Sequence, residues 1–238
     1  IPQRYIKEPC KELWHFETNY GVNQTVCDEH KIIYWSQKGK KHECNINDII
    51  EKQSNPNSGW RGQFETIFKY NGKGISYSDA EIRLMCAIIA DGSFYSNSKE
   101  GADSFLTCRF HIKKERKKQR LKMLFTLNNL EYKEKQSRAE GYTDFYITAP
   151  VREKEFFSYW YDCNPHQLEV VCDEVLNWDG CVNTSHTGTI RRSFSSCSEA
   201  TIDFIQFAFH NCGYKATKRQ YDRRNRERKN TKYQLNMY

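Results

Sequence analysis

Leu84-Met85-Cys86-Ala87-Ile88-Ile89-Ala90-Asp91-Gly92 and a second stretch, Leu168 through Val175-Leu176-Asn177-Trp178-Asp179-Gly180, decide the fold. Each is an apolar run with helical spacing that stops at an aspartate followed by glycine. In the second, Leu168, Val171, Cys172, Val175 and Leu176 recur at i, i+3, i+4, i+7 and i+8, a single stripe; the first is apolar nearly all round, as an interior helix is. The glycines read as left-handed residues that cap the last carbonyls. The aspartates have no such reading, because a helix C-terminus carries roughly half a negative charge and disfavours a carboxylate by about 0.3–1 kcal/mol. Read alone, each Asp-Gly pair simply begins a turn. Two of them, both after buried helices, predict a duplicated unit whose acids meet, with a divalent cation converting repulsion into coordination.

Leu84 to Gly92 resembles the motif of the LAGLIDADG homing endonucleases, with its leucine, an isoleucine and the closing Ala-Asp-Gly in register. The second copy keeps mainly Asp179-Gly180. The resemblance implies an α+β fold in which two pseudo-symmetric αββαββα halves form a DNA-binding saddle, each half opened by its motif helix. Capped by Ser78 or Asp79, the first helix leads to strands over 93–97 and 105–112, and a helix over 113–130 then buries Leu121, Leu124, Phe125 and Leu127. A hairpin over 132–138 and 142–148 turns at Gly141, and Pro150 starts a helix over 151–161. After the second motif come a hairpin over 182–184 and 189–195 around Gly188 and a helix over 200–211, with Ile202, Ile205 and Phe209 inward, ended by Gly213. The predicted organisation is 1–76, 77–166 and 167–238. Departures are that Asp173, Glu174 and Trp178 stand where the family has small residues between its motif helices, that Tyr159 to His166 offers no lysine where a basic residue is expected, and that the second half stops short of a final helix.

The first 76 residues predict a small, mainly β region. Glu12 to Thr18, Cys27 to Tyr34 and Asn47 to Ile50 resemble the middle of a Hint module, the splicing fold of inteins, with His30 on its Thr-x-x-His histidine and Cys27 in place of the threonine. Splicing needs a nucleophile first and a His-Asn pair last, whereas this chain runs from Ile1 to Asn236-Met237-Tyr238, so the segment reads as a remnant or relative. His210-Asn211-Cys212 mimics the terminal triad but lies inside a helical pattern. Cys27, His30, His42 and Cys44 are residue types that zinc accepts, at a spacing that fits no zinc module, so zinc is not expected. Cys86, Cys108 and Cys172 sit in apolar patterns as small buried hydrophobes.

The net charge is +7, and residues 1–80 are close to neutral, so the excess lies in the duplicated region. Arg109, His111 and Lys113 alternate along one strand, as do Arg191, Ser193 and Ser195 along another, which puts each set on one sheet face. Such faces suit the major groove, with Tyr95, Asn97 and Arg192 joining them. The basic run from Lys113 to Arg120 begins a helix against its dipole, which favours a phosphate partner, although a charge run is also an ordinary solvated face. Arg219 to Lys232, with Arg223 and Arg224, reads as a disordered arm or a basic hairpin, with Tyr221, Tyr233 and Leu235 favouring a strand pair.

The expected function is a monomeric, site-specific double-stranded DNA homing endonuclease, intein-related and so part of a mobile genetic element. Asp91 and Asp179 would hold Mg²⁺ or another divalent cation, helped by the carbonyls of Ala90 and Trp178, as the resemblance implies, with Lys114 and Lys118 beside the scissile phosphates. The rival is a DNA- or RNA-binding regulator or maturase-like protein of the same fold that has lost cutting. With no signal peptide and no long apolar stretch, a soluble intracellular protein with no membrane partner is expected.

Overall fold

Branched and aromatic residues near the N-terminus pair into short hairpins, as their preference for a pleated, half-buried surface dictates. The computed structural model describes residues 12–18, 22–55, 62–94, 106–184, 186, 188, 190–221 and 232–237. The chain divides into two units, Ile1–Thr66 and Ile67–Tyr238. In the first, β1 (Leu13–Glu17) pairs with β2 (Asn23–Cys27), and β3 (Ile32–Trp35) pairs with β4 (Lys41–Cys44). Helix α1 (Ile46–Ser54) is started by a reciprocal Asn45–Asp48 cap. Val26, Ile32, Ile46 and Ile49 form its small core. Cys27 ends β2 and His30 sits in the turn after it; His42 and Cys44 lie on β4, with the His42 ring stacked 5.1 Å from Tyr34.

The second unit repeats one pattern twice. In its first half, α2 (Asp79–Asp91) leads to β5 (Gly92–Phe94), β6 (Thr107–Ile112), α3 (Glu115–Leu127), β7 (Tyr132–Gln136) and β8 (Thr143–Thr148). In the second, α4 (Pro165–Val175) leads to β9 (Gly180–Thr184), β10 (Ile190–Ser196), α5 (Glu199–Asn211), β11 (Ala216–Tyr221) and β12 (Lys232–Met237). Both sheets are antiparallel and have the same strand order, β5-β6-β8-β7 and β9-β10-β12-β11. The α+β class and the paired halves expected from the sequence are therefore present.

Caps explain where the motif helices begin. Ser78 and Glu81 satisfy each other's amides at the start of α2, and Asn164 and Gln167 do the same for α4, with Pro165 at the first helical position. Along α2 every residue from Ile82 to Ile89 except Arg83 is buried, and α4 buries Leu168, Val171, Cys172 and Val175 on its stripe. The basic-arm region resolves into the strand-pair alternative: β11 and β12 pair from Ala216↔Met237 to Tyr221↔Lys232. Arg223 and Arg224 lie outside the described residues, as do Tyr95 and Asn97. No described helix is long and apolar enough to cross a membrane.

Three local expectations are corrected. Leu127 is 53% exposed, because it lies about a third of a turn off the Leu121–Leu124–Phe125 stripe; Asn128 takes that face and its amide donates to the Ala80 carbonyl at 3.0 Å. The helix expected over 151–161 is absent. An irregular segment ends in a single 3₁₀ turn, Ser158–Asp162. A helix would send residues 154 and 156 to opposite faces, whereas Phe156 packs into the core and the Lys154 ammonium is bound to the end of α2.

The glycines after the acids are not left-handed. Gly92 is extended, with φ −70° and ψ 151°, and Gly180 is not among the positive-φ residues. They are required by space: a Cβ on Gly92 would lie 2.6 Å from the Ile88 oxygen and 2.7 Å from Cys108 Sγ, and one on Gly180 would lie 2.5 Å from Leu176 Cα. Gly92→Ala and Gly180→Ala should each cost about 1–3 kcal/mol in urea unfolding, the usual range for overpacking. Unchanged midpoints would refute the close-approach explanation.

Candidate functional site

The two motif helices pack together and run in the same direction, so their ends meet in pairs. At the starting end, His166 Nε2 lies 2.8 Å from Asp79 Oδ2, and the Gln167 side chain bonds the Ile75 amide and the Ile75 and Tyr77 carbonyls. At the other end, Asp91 is the last residue of α2, and Asp179 sits in the turn between α4 and β9. Asp179 is open to solvent at its tip but is crowded by protein around it. Loss of surrounding water raises its carboxyl above the ordinary range, the charge of Asp91 pushes the same way, and Lys117, Lys154 and Lys232 oppose both. The sequence-predicted acids are thus brought into electrostatic contact.

Lysines compensate the accumulated negative charge. Lys117 Nζ lies 2.5 Å from Asp91 Oδ2 and 5.8 Å over the Trp178 ring. Lys154 Nζ donates to the carbonyls of Ile88, Ile89 and Gly92 at 2.7, 2.6 and 2.6 Å, satisfying groups that a helix C-terminus leaves free. Loss of hydration lowers the Lys154 pKa, against the pull of Cys108, Asp179 and Asp91. A basic residue is expected over Tyr159 to His166, which offers no lysine. The residue at the site is Lys154, hidden in a stretch read as helix.

A cavity of about 1000 Å³ opens at these ends, bordered by Ala90, Lys114, Lys154, Trp178, Asp179 and Lys232 among others. Lys114 borders this mouth. Lys118 turns away, donating to the Gly141 carbonyl at 3.3 Å, and Lys117 is the lysine on Asp91. The two carboxylates and the flanking backbone oxygens are hard donors that fit Mg²⁺ or Ca²⁺ chemistry. Among the described residues no three His, Cys, Asp or Glu side chains gather around a metal position, so any remaining ligands would be carbonyl, phosphate or water oxygens.

Glu174, one of the three residues that stand where the family has small ones, is fully buried and bonded. Arg83 Nη1 donates to its Oε2 at 3.1 Å, Arg120 Nε and Trp178 Nε1 donate to Oε1 at 3.0 and 2.9 Å, and Arg120 Nη2 also reaches Oε2. Asp173 points outward, 77% exposed, with Arg83 at 3.9 Å.

Each sheet covers the core with one face and presents polar groups on the other. In the first, register aligns Ser93, Arg109, His111, Tyr146, Lys133 and Lys135, the last two missed by sequence reading. Asp144 stands among them: Arg109 Nη2 is 3.0 Å from it and His111 Nδ1 is 2.6 Å from it. Burial works to raise the Asp144 carboxyl, but hydrogen bonds from His111 and Arg109 outweigh it and hold the group below the ordinary range. Lys113 lies 5.5 Å over the Tyr142 ring, on which His111 stacks. In the second sheet, Arg191, Ser193 and Ser195 align with Asn183, Gln234, Asn236, Arg219 and Lys232, several of them around a hollow of about 560 Å³. Strand alternation puts Arg192 on the other side, its guanidinium 5.1 Å over Tyr214.

No family model and no curated protein matches the chain. Solved structures that resemble it include mesophilic variants from the homing endonuclease I-DmoI, at 14% identity and a TM-score of 0.44 over 67% of this chain and 88% of that one. The N-terminal LAGLIDADG domain of DUF199/WhiA matches at 11% identity and 0.47, over 67% and 76%. Full-length DUF199/WhiA from Thermatoga maritima matches at 11% and 0.48, over 68% and 53%.

Because its carboxyl is raised in the folded chain, Asp179 binds a proton more tightly folded than unfolded. Its protonation favours folding, and stability is lost as pH climbs from the ordinary value near 3.8 through the raised one. Asp91→Asn should lower the Asp179 midpoint in a carboxyl NMR titration and flatten that loss. An unchanged midpoint would mean that the two acids do not interact.

Proposed function

We propose that the Ile67–Tyr238 unit is a LAGLIDADG-type endonuclease that binds double-stranded DNA and hydrolyses one phosphodiester in each strand. The observation that carries this reading is the convergence of two acidic helix ends from two halves of like topology, close enough for the charge of Asp91 to raise the carboxyl of Asp179. Ser195 and Lys232 support it, since both border the site cavity and lie on the polar face of the second sheet, which joins the site to a surface suited to a groove.

In this reading Asp91 and Asp179 hold Mg²⁺ or another hard divalent cation, with the Ala90 and Trp178 carbonyls as further ligands. Bound there, the cation supplies Lewis-acid stabilisation of charge at the phosphate. Lys117 and Lys154 keep two carboxylates and two negative helix ends tolerable in one place. Lys114, at the mouth of the cavity, meets a phosphate oxygen. Arg109, His111 and Lys113 on one sheet and Arg191, Ser193 and Ser195 on the other set register and base preference. The Ile1–Thr66 unit is, on this reading, the Hint-related remnant of an intein-borne mobile element.

One contact favours a second reading. The Lys117 ammonium at 2.5 Å already neutralises Asp91, an arrangement that suits a DNA- or RNA-binding protein of this fold that does not cut. Incubation with a randomised double-stranded library and Mg²⁺ separates the two. The nuclease reading expects cleavage that requires Mg²⁺ and falls at least about 100-fold in Asp91→Asn and in Asp179→Asn. Binding without cutting, unaltered in either variant, selects the second reading, and cleavage by both variants overturns the assignment of the acids.

A further inference from the structure

We propose that Glu174 is a positioning residue that fixes the Asp179 end of the site through Trp178 and ties it to the first half of the unit through Arg83 and Arg120; its catalytic consequence rests on the nuclease reading above. Glu174 belongs to α4, in the second half. Its side chain accepts four hydrogen bonds from three residues: Arg83 on α2 and Arg120 on α3 belong to the first half, and Trp178 is the residue immediately before Asp179.

A carboxylate with no exposed surface in a helix interface is a poor choice for stability alone, since an apolar side chain of that size commonly does as well or better. Such a group is better suited to setting register, because its bonds form in one arrangement only. Here every partner is a donor and both oxygens are used. The main chain of the same residue also holds the turn, its carbonyl accepting from the Asn177 amide at 2.9 Å. Neighbours on α3 reinforce the link: Arg116 Nη1 donates to the Asn177 carbonyl at 2.5 Å, and Lys117 lies over the Trp178 ring while it pairs with Asp91. One face of α3 therefore touches both acidic ends, and Glu174 anchors that face to the second.

Glu174→Gln is the informative substitution. An amide must point its NH₂ at Arg83 and Arg120 or at Trp178, so a donor meets a donor either way. Amide hydrogen exchange of the full chain should then speed up by about tenfold at Asn177 and Trp178 while Ala90 to Gly92 keeps its protection. Trp178→Phe, which keeps an aromatic ring at the position and loses the indole N–H, should show the same selective rise. Equal acceleration at both helix ends would reduce Glu174 to a general stabiliser, and no acceleration at either would remove the role altogether. On a DNA target, the variant should accumulate nicked product because one strand is cut about tenfold more slowly than the other. Equal slowing of both strands would contradict the proposal. Should the unmodified chain cut nothing, the nuclease reading falls, while the exchange comparison still decides the role of Glu174.

Discussion

Two helix C-termini, each carrying roughly half a negative charge, converge in this unit, and each adds a carboxylate. That electrostatic burden is the constraint around which the second unit is built. Crowding by protein removes water from Asp179 and raises its carboxyl, and the charge of Asp91 adds to this. Cations drawn from elsewhere in the chain offset this charge. Lys154 binds the Ile88, Ile89 and Gly92 carbonyls, Lys117 pairs with Asp91, Arg116 takes the Asn177 carbonyl, and Arg83 and Arg120 neutralise Glu174 just before the second acid. Several members of the basic run at the start of α3 are therefore engaged by groups of the unit itself, Arg116, Lys117 and Arg120 among them. Lys114 and Lys117 border the cavity.

The sheets follow the same division of labour. Phe110, Phe145 and Ile147 on one sheet and Phe194, Leu235 and Met237 on the other close the core, while the alternate residues form the polar faces. On the first face Asp144 organises Arg109 and His111, so those groups are held in fixed directions before any ligand arrives. The second face carries Arg191, Arg219 and Lys232 with amides and hydroxyls between them. On the first face a carboxylate holds the basic groups, whereas on the second Gln234 donates to Asn236 at 3.1 Å, so the two surfaces differ although their strand order is the same.

Much of this was legible in the sequence because it is locally encoded. Apolar periodicity located α2, α4 and α5; Ser78 marked a helix start; Gly141, Gly188 and Gly213 marked turns and take positive φ as such positions require. The Asp91 and Asp179 pair was legible because the signal is repeated. What was missed depends on partners distant in sequence. Glu174 looked like a misfit until Arg83 and Arg120 arrived from the other half. Lys154 was lost in a supposed helix, since nothing local says that an irregular segment will cross the end of α2. Arg109 and His111 were placed on the right face, but β8 supplies the aspartate between them, which strand alternation alone cannot reveal. The motif glycines were recognised for the wrong reason, because close approach to Ile88, Cys108 and Leu176 is a packing fact with no local mark.

The convergence of Asp91 and Asp179 on one cation position is tested most directly by titrating the protein with Mn²⁺ and following amide resonances by NMR. Paramagnetic broadening should reach Ala90 to Gly92 and Trp178 to Gly180 together, at the same Mn²⁺ concentration, and before any other part of the second unit. Broadening of one group without the other, or of neither, would contradict a shared site.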